Sequence, residues 1–298
     1  MKARRRRGVA AALALSCAVA LPGCVKNTEH TGSPAGPKVK VAAEAGVADL
    51  VPKSVADKGY LKIGIGPNYF PNEYRDSHNK IVGWDVEIGD AMAAKLGLKA
   101  KYVESNFPQI LSGLGIGDYD IGISSFTDTA ERRQKVDFVD YYKAGTQWAS
   151  GARTEKVGPG NVCGKTVGAQ SNTYQLLDYL PALSKKCVRA GQPAIKIDSY
   201  DDQTQSTTAV AVGKADASVA DSPVTAYAVK QSHGQLRLSS GILEAAPYGM
   251  PVKKDSDLSR AMVAAFEAIK KDGTYYKILK RWGVHAGAVD TFQVNGGS

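Results

Sequence analysis

Twice along this chain a short apolar run leads through a polar turn into an amphipathic stretch. That alternation restricts the fold more than any other feature. The first series predicts strands over 60–66, 101–104 and 120–124, with helices over 85–96 and 108–114 between them. Val86, Met92 and Leu96 form the apolar face of the first helix, and Gly97 ends it. Residues 67–74 read as a loop carrying Tyr69 and Phe70. The second series predicts strands over 165–169, 194–197, 217–220 and 236–238. Its helices fall over 174–185, interrupted at Pro181, and over 204–212 and 223–231; a last helical stretch, 258–282, breaks at Gly273. Strands alternating with helices make a mainly parallel sheet and an α/β fold. Gly117-Asp118-Tyr119-Asp120 and Gly213-Lys214-Ala215-Asp216 each end an apolar helix and start an apolar strand. This echo predicts two lobes of like build with a cleft between them. Ligands of open α/β sheets bind at the carboxyl ends of strands, where the turns 124–129, 170–173 and 220–221 fall.

Residues 118–140, DYDIGISSFTDTAERRQKVDFVD, are the most informative stretch. After the strand and the turn SFTDT, a helix is predicted to start at Ala130. Thr129 or Asp128 can cap it, and Asp128 with Glu131 fits a capping box. Arg132 then sits in a first helical turn, where the helix dipole disfavours a cation. Such an arginine is most often only a solvated surface charge. A docked anion would remove the conflict, and the hydroxyls and free backbone N–H groups of the turn would complete an anion site.

The N-terminus predicts export. Lys2 and Arg4–Arg7 form a basic region, and residues 8–21 are apolar but too few to span a bilayer. Leu21-Pro22-Gly23-Cys24 resembles a lipobox, which implies a lipoprotein signal peptide over 1–23 and a lipidated Cys24 at the mature N-terminus. Residues 24–49, rich in Gly, Pro, Ser, Thr and Lys, read as a flexible tether. The formal charge of +9 includes five basic residues of the signal, so the remainder is only mildly basic. With no basic stripe interleaved with aromatics, nucleic-acid binding is not indicated. Cys163 and Cys187 are the two cysteines outside the signal and lipobox, and in an exported protein they read as a disulfide.

Several function classes are disfavoured. Gly164-Lys165-Thr166 has Pro159 where a phosphate-binding loop needs its first glycine, and its strand follows the motif. Gly64-Ile65-Gly66 is half a dinucleotide fingerprint with no helix after it. His30, His78, His233 and His285 have no metal spacing, so neither metal nor cofactor is expected.

The stretches GWDVEIGDAMAAKLG (83–97), DIGISSFTDTAERRQKVDFVDYYKAG (120–145), KADASVADSP (214–223) and KKDGTYYKILKRWG (270–283) occur in order. Together they resemble the type II extracytoplasmic solute-binding proteins of ABC importers, in the polar amino-acid-binding family. The resemblance implies a two-lobed periplasmic-binding-protein-like fold with the ligand in the interlobe cleft. Lobe 1 would comprise 50–146 plus 243–298 and lobe 2 would comprise 147–242. Crossing strands near 146–151 and 239–248 would form the hinge. It implies that Arg132 grips the ligand α-carboxylate, with the Ser125 backbone and the Thr127 hydroxyl and N–H beside it. Thr173 would close from the second lobe, Asp221 would accept the α-ammonium, and Tyr69 and Phe107 would sandwich the ligand. Trp148 and Tyr248 would flank the pocket or the hinge. Many relatives carry an Asp where this chain has Gly66, which argues for a polar or neutral ligand side chain over a strongly cationic one. Asn172 stands where the family has glycine. The implied partners are an amino acid, an ABC permease and, through the lipid anchor, the outer face of the membrane; the protein would be monomeric. Two other readings share the fold: a cyclohexadienyl or arogenate dehydratase, with Asp221 as the acid, and a ligand sensor subunit.

Overall fold

The computed structural model describes residue 34 and residues 38–297. No helix among them is long and apolar enough to cross a membrane. The signal peptide and Cys24 expected from the sequence lie outside the described residues.

A ten-stranded sheet runs through the body. On one flank Lys99–Glu104, Tyr60–Ile65 and Ile121–Gly122 pair in parallel. On the other, Ala217–Asp221, Thr166–Gln170 and Lys196–Tyr200 do the same. Leu243–Lys253 and Val136–Gly151, antiparallel to each other, join the flanks. The α/β class and the two parallel series expected from the sequence are thus both present.

Val136–Gly151 is one continuous strand of 16 residues, longer than the crossing strand expected near 146–151. At about 3.3 Å per residue it spans roughly 50 Å, enough to belong to both flanks. All but one of its residues are buried, because helices and further strands cover both of its faces. Apolar packing follows the same division. One core draws on Leu61, Trp84, Met92, Ile121, Tyr141, Met250 and Phe266; another on Trp148, Val167, Leu180, Ala217 and Val219. Helix Leu258–Lys271 places Leu258, Ala261, Met262, Ala265, Phe266 and Ile269 on one buried stripe, and Gly273, in the left-handed region at φ +78°, ends it as expected.

Three local expectations are corrected. Residues 67–74 are not a simple loop: Asn68–Tyr69, Glu73–Arg75 and Ile81–Val82 form a small antiparallel sheet. Gly83 makes this possible, since at φ +141° a Cβ there would lie 1.9 Å from the Asn72 carbonyl oxygen. Residues 130 onward do not form a helix. Only Arg132–Gln134 turn, as one 3-10 turn, and no Asp128–Glu131 capping box exists. Thr129 Oγ1 does accept the Arg132 N–H at 3.3 Å, but Asp128 is drawn away by the backbone N–H of Gly297 at 2.8 Å. A tertiary hydrogen bond to a buried carboxylate has outcompeted the local cap. The composition of 24–49 suggests a free tether, yet Val39 and Val41 pack on the first core and Ala45–Ala48 form a helical turn with Val47 buried.

Pro181 interrupts its helix as expected, with a specific consequence. Gln175–Tyr179 form a π-helical turn that passes into the α-helix Leu180–Arg189. Proline cannot donate to the preceding turn, and the widened turn accommodates its ring. Cys163 and Cys187 are disulfide-bonded, Cα to Cα 5.5 Å, tying this helix to the strand region ahead of Thr166–Gln170. Replacing both by serine is expected to lower stability by about 3 kcal/mol, given the loop the bond closes. Urea unfolding of the double variant with an unchanged midpoint would contradict this.

Candidate functional site

A narrow cavity is lined by Asn68, Tyr69, Glu73, Phe107, Ser124, Ser125, Thr127, Arg132, Gln170, Thr173, Tyr174, Gln175 and Asp221. All seven residues singled out in the sequence as ligand contacts are on this wall. They come from the small sheet, the helix Phe107–Ile116, the 124–134 turns, the turn after Thr166–Gln170 and the end of Ala217–Asp221. The carboxyl ends of strands from both flanks therefore converge here.

Arg132 has an unusual set of partners. Its Nη1 donates to the Thr127 carbonyl at 2.9 Å and its Nη2 to the Asn172 carbonyl at 2.9 Å. The guanidinium lies 5.6 Å from the ring centres of both Phe107 and Phe126, which stack on each other. Phe107 thus supports the cation as well as facing the cavity. Among the described residues no carboxylate is within ion-pair distance of Arg132. Burial pulls its pKa down, opposed by the more distant charge of Asp221. Asn172 sits at φ +60°, a left-handed conformation that asparagine tolerates, so it can stand where the family has glycine and still aim its carbonyl at Arg132.

Asp221 is the opposite pole. Its Oδ2 accepts the Tyr69 hydroxyl at 2.9 Å and its Oδ1 accepts Gln175 Nε2 at 2.8 Å. Burial pushes its carboxyl up, while the hydroxyls of Tyr248 and Tyr69 and the Gln175 amide pull it back. It has no cationic partner in contact among the described residues. Gln175 also donates to Thr146 Oγ1 at 3.2 Å, on the long crossing strand, so the π-helical turn fixes this carboxylate against the centre of the sheet. Thr173 is turned inward by its own hydroxyl, which donates to the Gln170 carbonyl at 2.7 Å.

The third charged group is one that sequence reasoning missed. Glu73 is fully buried at the cavity wall and accepts from Ser124 Oγ at 3.2 Å and from Ser125 Oγ at 3.0 Å. Ser125 Oγ also lies 3.2 Å from Asp85 Oδ2 while accepting Asn72 Nδ2 at 2.8 Å. One hydroxyl carries one proton and cannot donate to both acids, so a proton on the acid pair completes the network. Burial and the neighbouring Asp85 push the Glu73 carboxyl well up. Burial raises Asp85 to about 6, against the hydroxyl of Tyr141 and other donors. The Ser125 N–H is committed to Asp85 at 3.1 Å, so it does not face the cavity as its expected role implied. The signal available for Glu73 was a lone acid in the aromatic-rich run 69–74; Gln175 carried none.

Trp148 and Tyr248 are not on the cavity wall. Trp148 is in the second core, donating to the Tyr179 hydroxyl at 3.2 Å. Tyr248 packs among Trp84, Tyr141 and Tyr142 where the crossing strands meet.

The chain is similar to known proteins over most of its length. The pattern of the bacterial extracellular solute-binding proteins, family 3, matches residues 61–285. The chain is 36% identical to the arginine-binding protein ArgT of Corynebacterium glutamicum, over 97% of this chain and 96% of that protein. It is 26% identical to the L-arginine-binding protein of Pseudomonas aeruginosa, over 78% of this chain and 90% of the relative. Among solved structures, an ancestral arginine-binding protein bound to arginine superposes with a TM-score of 0.69 at 30% identity, covering 75% of this chain and 98% of that one.

Proposed function

Because the chain belongs to the bacterial extracellular solute-binding proteins of family 3, we propose that it captures a free α-amino acid outside the membrane and delivers it to an ABC permease, without chemically altering it. One observation carries the reading: Arg132 and Asp221 are a buried cation and a buried anion on one cavity, each held by neutral donors or acceptors and neither neutralised by a contacting charge. A ligand bearing one carboxylate and one ammonium supplies both missing counter-charges. Arg132 takes the carboxylate with Thr127 beside it, Thr173 adds a contact from the opposite side, and Asp221 takes the ammonium. Tyr69 and Phe107 supply the apolar walls. The lobes, 50–146 plus 243–298 and 147–242, close over the ligand by bending at the crossing strands. The protein acts as a monomer tethered to the outer face of the membrane by lipidated Cys24.

The side-chain assignment also changes. Gly66 favours a neutral ligand side chain, but Glu73 places an acid on the same cavity wall, beside Asp85 and held by two serine hydroxyls. This supports a cationic side chain directed at Glu73, as in arginine, the ligand in the names of the two relatives above.

The test is titration calorimetry of protein lacking residues 1–24 against the twenty amino acids, the α-carboxamides of those that bind, and their des-amino analogues. Arginine is expected to bind, and loss of either the carboxylate charge or the amine to weaken it by about 2 kcal/mol or more. Failure of every amino acid to bind would overturn the proposal.

A further inference from the structure

The matched family region ends at residue 285, yet the described chain continues across the body. Phe292 anchors this extension in the first core, 5.0 Å from the Phe266 ring and 5.3 Å from Tyr275. Gln293–Val294 then pair antiparallel with Val139 and Asp140, covering an edge of the long crossing strand. Asn295 turns at φ +58° and clamps the strand: its Oδ1 accepts the Phe138 N–H at 2.9 Å, its N–H donates to the Phe138 carbonyl at 2.9 Å, and its Nδ2 donates to Asp137 at 2.9 Å. Beyond it, the Gly296 N–H donates to Asp140 and the Gly297 N–H to Asp128, both at 2.8 Å. Arg133 Nη1 donates back to the carbonyls of Asn295 and Gly297.

Asp128 and Arg133 bracket Arg132. The chain around Arg132 makes only a single 3-10 turn, Arg132–Gln134, closed by a few local hydrogen bonds such as Arg133 N–H to the Thr129 carbonyl at 3.0 Å. So short a turn depends on outside contacts for its orientation. Resting on the amino-acid-binding reading, we propose that the C-terminal strap 293–297 positions the Arg132 turn, holding Asp128 and Arg133 from below so that the guanidinium meets the ligand carboxylate in one orientation. The charged groups facing the strap are Asp128, Asp137, Asp140, Arg133 and, through Asp137, Lys254. Asp128 and Asp140 each keep one buried oxygen without a partner, so the strap N–H groups are important donors to both. Burial and the neighbouring Asp128 raise Asp140 to about 7, and Gly296 opposes that rise. Removing the strap therefore strips a hydrogen bond from Asp128, which pairs with Arg133 at 3.5 Å beside the turn, and another from Asp140 on the crossing strand.

The test is the chain ended after Phe292, which keeps the aromatic anchor, alongside Asn295→Ala. Calorimetry uses L-arginine, L-glutamine and the α-carboxamide of each; thermal unfolding monitors the body. Truncation is expected to weaken the bound amino acid about tenfold or more while changing its carboxamide far less, so that discrimination for the carboxylate falls. Asn295→Ala is expected to shift in the same direction by a smaller factor. Equal losses for acid and amide would mark a general structural role and overturn the proposal, as would unchanged binding by the truncated chain. Wild-type protein that binds neither amino acid would instead overturn the functional reading, and the strap role with it.

Discussion

Arg132→Ala is expected to weaken amino-acid binding by about 2–5 kcal/mol, from roughly 30-fold to several thousand-fold, the range for losing one partner of a desolvated charge pair. The argument rests on what surrounds the guanidinium. Both forks of Arg132 are held by carbonyls, and two phenylalanine rings lie beneath it, so the surrounding chain fixes its orientation. Among the described residues, nothing else on the cavity wall carries a positive charge. The empty protein gains little from this buried cation, because burial disfavours its charge and no anion contacts it. The variant should therefore unfold within a few degrees of wild type, separating lost binding from lost folding. Arg132→Lys should fall between the two, since it keeps the charge and loses the planar fork. Calorimetry giving Arg132→Ala an affinity within threefold of wild type would sink the carboxylate assignment.

Glu73→Gln is the second large effect, and it is selective. It is expected to lower arginine affinity by about 2–3 kcal/mol, some 30- to 150-fold, while leaving glutamine nearly unaffected. In the empty cavity Glu73 and Asp85 share a network that holds a proton, because burial raises both carboxyls, Asp85 to about 6. The sign follows from that direction. Raised carboxyls contribute stability that is full below their ordinary range and is lost as pH rises through the folded-state titration, so without a cationic ligand the protein should lose stability as pH rises from the ordinary carboxylate range through about 6. A guanidinium beside the pair favours its ionised form, so arginine should expel a proton and bind more tightly as pH increases over the same range. Titration in two buffers of different ionisation heat reads the proton directly. Arginine binding with no proton release in wild type, or with unchanged release in Glu73→Gln, would remove Glu73 from side-chain recognition.

The two series of strands and helices and the disulfide-bonded cysteines were legible in the sequence for local reasons, whereas most of the residues gathered round the cavity were marked by the resemblance to a family. Apolar period reports which face of an element is buried. Gly97 and Gly273 report helix ends, since each takes a left-handed backbone. Arg132, Asp221, Thr127 and Thr173 stand in turns that follow strands, where an α/β topology must place its ligand.

What the sequence could not decide were competitions between a local partner and a distant one. Asp128 reads as a helix cap, but Gly297, 169 residues away, takes its carboxylate and leaves a single turn in place of a helix. Little local marks Glu73, but the glycine at 83 lets the Asn72–Glu73 backbone close onto helix Trp84–Lys95 and buries the carboxylate beside Asp85. Nothing local marks Gln175, but the widened turn before Pro181 aims it at Asp221. The residue pattern determined which elements form and which turns carry polar groups, because those depend on neighbours a few positions apart. Only the tertiary structure decided which charges lose water and which distant groups answer them, because desolvation and hydrogen-bond geometry are set by elements the chain brings together from far along its length.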